Sequence, residues 1–140
     1  MVLKEFRIAH STLIEHYQFI EAHLEGIYAA VSDKNFLDGV QEVEKDSLSG
    51  VIREIRELER EKEITVFTEE EYRQLRQLIT RRNFWCHCCY FEMSFDRKTG
   101  GPAKVRDIQA MHEDMQTAEL WREQLFQKKI DLLQKKKRKR

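Results

Sequence analysis

At 140 residues, with 41% hydrophobic and 36% charged side chains, the chain is sized for a single domain able to bury a core of its own. One proline and five glycines are too few for the turns of an all-β fold, so composition points to long, solvated helices. No apolar run approaches the ~18 residues of a membrane span and no signal-peptide pattern opens the chain, so a cytoplasmic protein without a membrane partner is expected.

The apolar positions Leu3, Phe6, His10, Leu13, Tyr17, Ile20, Leu24, Ile27 and Val31 follow steps of three and four, which predicts a first helix burying one narrow stripe. Ser32-Asp33 end it. A second helix is predicted through Phe36, Val40, Val43, Ser47, Val51, Ile55 and Leu58, with Gly39 and Gly50 each weakening it by roughly 1 kcal/mol relative to alanine. Residues 61–67 read as a connection with Ile64, Val66 and Phe67 tucked under the helices. Thr68 and Glu71 then form a capping box, Phe67 and Tyr72 a hydrophobic staple, and Glu69, Glu70 and Glu71 face the positive end of the helix dipole.

The third helix is predicted through Tyr72, Leu75, Ile79, Arg82, Cys86, Cys89 and Met93. Asp96 to Pro102 is the strongest breaker in the chain. A fourth helix follows through Val105, Ile108, Met111, Met115, Ala118, Leu125 and Leu132. The expected fold is all-α, an up-down-up-down four-helix bundle with long helices, spanning residues 1–134 as one domain.

Residues 135–140 form a basic C-terminal tail. The formal net charge is zero, but residues 128–140 hold eight Lys or Arg against one acid, Asp131. That leaves 17 basic and 24 acidic groups elsewhere, an acidic body with a basic end. Such an end is either a solvated, partly helical terminus or a site that attracts polyanions such as RNA. Cys86, Cys88 and Cys89 lie within one turn with no second cluster, a spacing that suits neither a zinc site nor a disulfide framework. They read as small buried hydrophobes, and no metal or other cofactor is expected.

The stretch Arg82-Asn83-Phe84-Trp85-Cys86-His87 carries the chemistry. A guanidinium holds a phosphate by paired hydrogen bonds, and an imidazole moves a proton near neutral pH. Asn83, His87, Tyr90 and Ser94 succeed one another at helical spacing as a polar stripe. Arg82 falls on the apolar stripe, where an unpaired charge is costly. Its structural role would be pairing with a second-helix glutamate such as Glu44 or Glu54, with His87 in a polar niche. Phe84, Trp85 and Phe91 are read mainly as core, or as an apolar patch for dimerisation. Paired Glu-x-x-His motifs are absent, which sets aside a di-iron bundle, and His16 and His23, sharing a face, read as structural.

These six residues resemble the R-x(4–6)-H signature of the HEPN superfamily of small helical nucleases, in the variant that begins Arg-Asn. The helix count, chain length and motif position, about two-thirds along the chain, are similar as well. The resemblance implies a metal-independent endoribonuclease of toxin or phage-defence type, working as a homodimer whose motifs line one cleft, with RNA as substrate and a cognate antitoxin as partner. It implies that His87 is the general base toward the ribose 2′-hydroxyl and that Arg82 stabilises the transition-state charge. Asn83 would orient His87 or the phosphate, and Tyr90 would contact substrate. The antitoxin-paired subgroup has its tyrosine two residues after the histidine, whereas Tyr90 lies three after His87. The alternative is a non-catalytic helical bundle that binds a nucleotide, RNA or a partner protein.

Overall fold

The computed structural model describes residues 2–88 and 105–139. Among them every regular element is helical: α1 (Val2–Val31), α2 (Phe36–Val43), α3 (Leu48–Lys62), α4 (Glu69–Asn83) and α5 (Val105–Arg138). A single π-helical turn, Phe84–Cys88, continues α4. The breaker at Asp96 to Pro102, together with Cys89, Tyr90, Phe91, Met93 and Ser94, lies outside the described residues. No helix among the described residues is long and apolar enough to cross a membrane.

Helix α1 is the axis on which α2, α3, α5 and the π turn pack. Its three-four spacing does what it predicts: Phe6, Leu13, Tyr17, Ile20, Leu24, Ile27 and Val31 are buried, and the helix stops at Ser32. Each such side chain contributes roughly 1.5–3 kcal/mol on leaving water, so the stripe is a substantial source of cohesion.

The second predicted helix is two helices. Ser47, expected on the buried stripe, is exposed and caps α3, its hydroxyl accepting from the Gly50 N–H at 3.1 Å. Asn35 caps α2 in the same way through the Asp38 N–H at 2.9 Å. A serine oxygen that satisfies a free helical donor outweighs continuing the helix through it. Gly39 is a packing requirement, because a Cβ there would lie 2.7 Å from the Cα and Cβ of Ala29. Phe36, expected in the core, is 44% exposed.

This extra reversal changes the topology. α2 begins five residues beyond α1, and α3 returns to the same end, where the Lys62 ammonium donates to the Val31 carbonyl at 2.6 Å. α4 then runs against α1, pairing Arg82 with Glu21 and Trp85 with His10. α5 runs parallel to α1, as the pairs His16–Arg122, His23–Lys129 and Ala29–Lys136 show. Four alternating helices would leave first and last antiparallel; the α2–α3 hairpin makes them parallel. α5 stays helical through Arg138, so most of the basic tail is helix.

The start of α4 follows expectation. Thr68 and Glu71 exchange backbone-to-side-chain bonds of 2.9 and 3.1 Å, and the Phe67 and Tyr72 rings meet edge-on at 5.4 Å. Val66 and Phe67 are buried, whereas Ile64 stays exposed. The Glu59 carboxylate accepts from the Val66 and Phe67 N–H groups and from the Tyr72 hydroxyl, tying the connection to both α3 and α4.

His23 gives the α1–α5 packing a pH dependence. It is buried between Phe19 and Phe126, and its Nδ1 accepts from the Lys129 ammonium at 3.1 Å. Burial first, then Lys129 and Arg122, push its pKa down to about 4. The unfolded chain takes up this proton near pH 6.5 and the folded one only near 4. Stability is therefore full above pH 6.5 and lost as pH falls towards 4, on the order of 2–3 kcal/mol. Urea midpoints measured from pH 7 to 4 should show this loss, and His23→Gln, which keeps an acceptor for Lys129, should flatten it. An unchanged slope in that variant would dismiss His23 as the cause.

Candidate functional site

The site is assembled where α4 gives way to the π turn. In an α-helix, residues five apart point about 140° from one another. A π turn bonds i to i+5 and so takes about one more residue per turn, which swings residues five apart back towards one side. Arg82 and His87 have this separation, with Arg82 two residues before the turn and His87 within it. A π turn also disrupts the carbonyl ladder, and here the Trp85 carbonyl accepts from His10 Nε2 at 2.7 Å. That bond places a proton on Nε2 of His10.

Trp85 anchors the turn. Its side chain is 0% exposed, packed against Phe6 at 6.5 Å and edge-on to Phe84 at 4.9 Å. Its indole N–H donates to Asp114 Oδ2 at 2.7 Å, and the same oxygen accepts from Arg81 Nε at 2.7 Å. Asp114 thus bolts α4 and the π turn to α5. The Tyr17 hydroxyl is buried beside it, raised well above the usual range by burial and then by the Asp114 charge.

The π turn also moves the stripe by one position. The three-four spacing assigns Cys86 to the core; Trp85 occupies that place and Cys86 is exposed, so Cys86 is not the small buried hydrophobe expected. Trp85 in turn belongs to no exposed apolar patch, and Phe84 is partly buried against the core.

Arg82 is partnered, as a cation on an apolar stripe must be, but by a different helix from the one expected. Its Nη2 donates to Glu21 Oε1 of α1, not to Glu44 or Glu54, and its Nη1 donates to Asn83 Oδ1 at 3.1 Å. The side chains of Arg82 and Glu21 are 25% and 29% exposed, so the pair sits at the boundary between core and solvent. Arg82 Nε is buried with no partner among the described residues. His87 is exposed, and no hydrogen bond or ion pair joins it to Arg82. Of the four residues singled out from sequence, Arg82 and Asn83 are in contact, His87 follows them across the turn, and Tyr90 is outside the described residues.

Glu21, Asp114 and His10 complete this environment, and sequence reading assigned none of them to it. Glu21 follows Ile20 on the flank of the α1 stripe, which is where a partner for an arginine at a helix seam would have to come from. Chemically, the cluster offers a held guanidinium with an edge to solvent, a side-chain amide and an exposed imidazole. Comparison with protein-family models, with curated proteins and with solved structures found no match to this chain.

Proposed function

We propose that this protein is a metal-independent endoribonuclease acting through Arg82 and His87. The observation that carries the reading is that the π turn at Phe84–Cys88, which contains His87, begins two residues after the Glu21-held Arg82, and π turns concentrate at functional sites. His87 takes the proton of the ribose 2′-hydroxyl as its oxygen attacks phosphorus. The P–O5′ bond breaks, leaving a 2′,3′-cyclic phosphate and a 5′-hydroxyl that is reprotonated from solvent. Arg82 stabilises the added negative charge on the phosphoryl oxygens, Glu21 fixes the guanidinium, and Asn83 and Tyr90 contact substrate. A homodimer joining two such motifs in one cleft, and an antitoxin covering it, belong to the same proposal.

The second reading, a binding module without catalysis, is favoured by one feature. Glu21 already neutralises Arg82, which suits a ground-state binder as well as a catalyst. Incubating the purified protein with single-stranded RNA in EDTA separates the two. Cleavage with cyclic-phosphate ends is expected, while DNA and 2′-O-methylated RNA, which lack the nucleophile, stay intact. Binding of all three without cleavage would replace the nuclease with the binding module.

A further inference from the structure

At the C-terminal end of α1 lies a cleft of about 680 Å³, a size suited to a small polar ligand or a segment of a larger one. Four lysines line it: Lys62 from α3, Lys135 and Lys136 from α5, and Lys139 just beyond. One carboxylate, Asp33, faces them.

An ammonium has three donors, and counting them separates the four. Lys136 donates to the Ala29 carbonyl at 2.9 Å, the Ser32 carbonyl at 2.8 Å and the Lys34 carbonyl, so its donors are spent on closing the end of α1. Lys62 donates to the Val31 carbonyl and to Asp33, each at 2.6 Å, and keeps one donor. Lys135 and Lys139 have no hydrogen-bond or ion-pair partner for their ammonium groups among the described residues. They sit one turn apart on one face, where like charges repel. The negative end of the α5 dipole explains basic residues in its last turn, and Lys62 of α3 brings a further cation into the same cleft while closing α1.

We propose that this cleft holds backbone phosphates of single-stranded RNA, with Lys135, Lys139 and the remaining donor of Lys62 as the ligating groups and Lys136 as the fixed support. A phosphodiester presents several acceptor oxygens to several donors, and the exposed side chain of Ile64 at the rim offers apolar surface to a neighbouring base. Exposed Lys137 and Arg138 extend the positive track beyond one phosphate. The choice of RNA rests on the proposed function; the cleft and its donors do not.

Fluorescence anisotropy with a 2′-O-methylated oligoribonucleotide, which cannot be cleaved, tests the cleft apart from the chemistry. Lys135→Gln with Lys139→Gln should weaken binding at least tenfold at low salt and lower the slope of log K against log salt by about 1.4, the release expected from two single-strand phosphates. Its melting temperature should be unchanged, since α1 is closed by Lys62 and Lys136. Lys137→Gln with Arg138→Gln removes the same charge outside the cleft and should cost several-fold less. Equal losses from the two double variants would overturn the cleft in favour of diffuse attraction by the helix end. Failure of the wild type to bind the oligonucleotide, or binding to anionic vesicles in its place, would also overturn it. If unmodified RNA survives intact while the methylated strand binds through Lys135 and Lys139, the nuclease reading fails and the cleft stands.

Discussion

Trp85→Ala is expected to remove about 3–5 kcal/mol of stability, the range for emptying a fully buried large aromatic site. The indole is 0% exposed, and among the attachments that end on this residue its ring packs on Phe6 and Phe84, its N–H reaches Asp114, and its carbonyl receives His10. Of these, alanine keeps the last. A domain of this size has a total stability of roughly 5–15 kcal/mol, so the loss is about a fifth or more of what is available. Trp85→Phe should cost less, about 1–2 kcal/mol beyond the volume change, because Asp114 then keeps Arg81 but loses the indole donor. Urea unfolding followed by circular dichroism measures both. A Trp85→Ala loss below about 1 kcal/mol would mean that the π turn is not anchored through this side chain.

The parts of the fold legible in the sequence are those in which one helix answers to its own residues. The α1 stripe needs only a period, and the start of α4 needs only Thr68, Glu71, Phe67 and Tyr72, all within six positions. The reading fails where two helices meet. Gly39 looks like a weak helical residue until Ala29 of α1 lies against it, whereas Ser47 is a local cap, accepting from the Gly50 N–H three residues on, that the continuing apolar period masks. The π turn is invisible to any search that assumes 3.6 residues per turn, and such a period gives Cys86 the place that Trp85 fills. For the site, sequence supplies the chemistry of Arg82 and Asn83 but not the hydrogen bond between them. It does not supply Glu21, because the partner of a seam arginine is chosen by tertiary packing across 61 residues.

Arg82→Met is expected to lower RNA cleavage by about 10²–10³-fold, the cost of losing one charge-stabilising donor. The difficulty is that Arg82 also has structural work, since its guanidinium neutralises Glu21 at the edge of the core. A variant that merely disturbs the fold would lose activity as well. A double-mutant cycle separates the two roles. Glu21→Leu leaves a half-buried guanidinium without a counter-charge, and Arg82→Met leaves a half-buried carboxylate; each should cost about 1–2 kcal/mol, less than the 3–5 typical of a fully buried pair. Replacing both removes the charges together, so the double variant should regain most of that stability, with a coupling on the order of 2–3 kcal/mol. Activity should not return with it, because the methionine offers no donor to a phosphoryl oxygen. His87→Ala, whose exposed side chain carries no packing, should abolish cleavage in the same assay with no change in the urea midpoint. If the Glu21→Leu/Arg82→Met protein cleaves RNA as fast as wild type, Arg82 is a structural residue and transition-state stabilisation must come from another group.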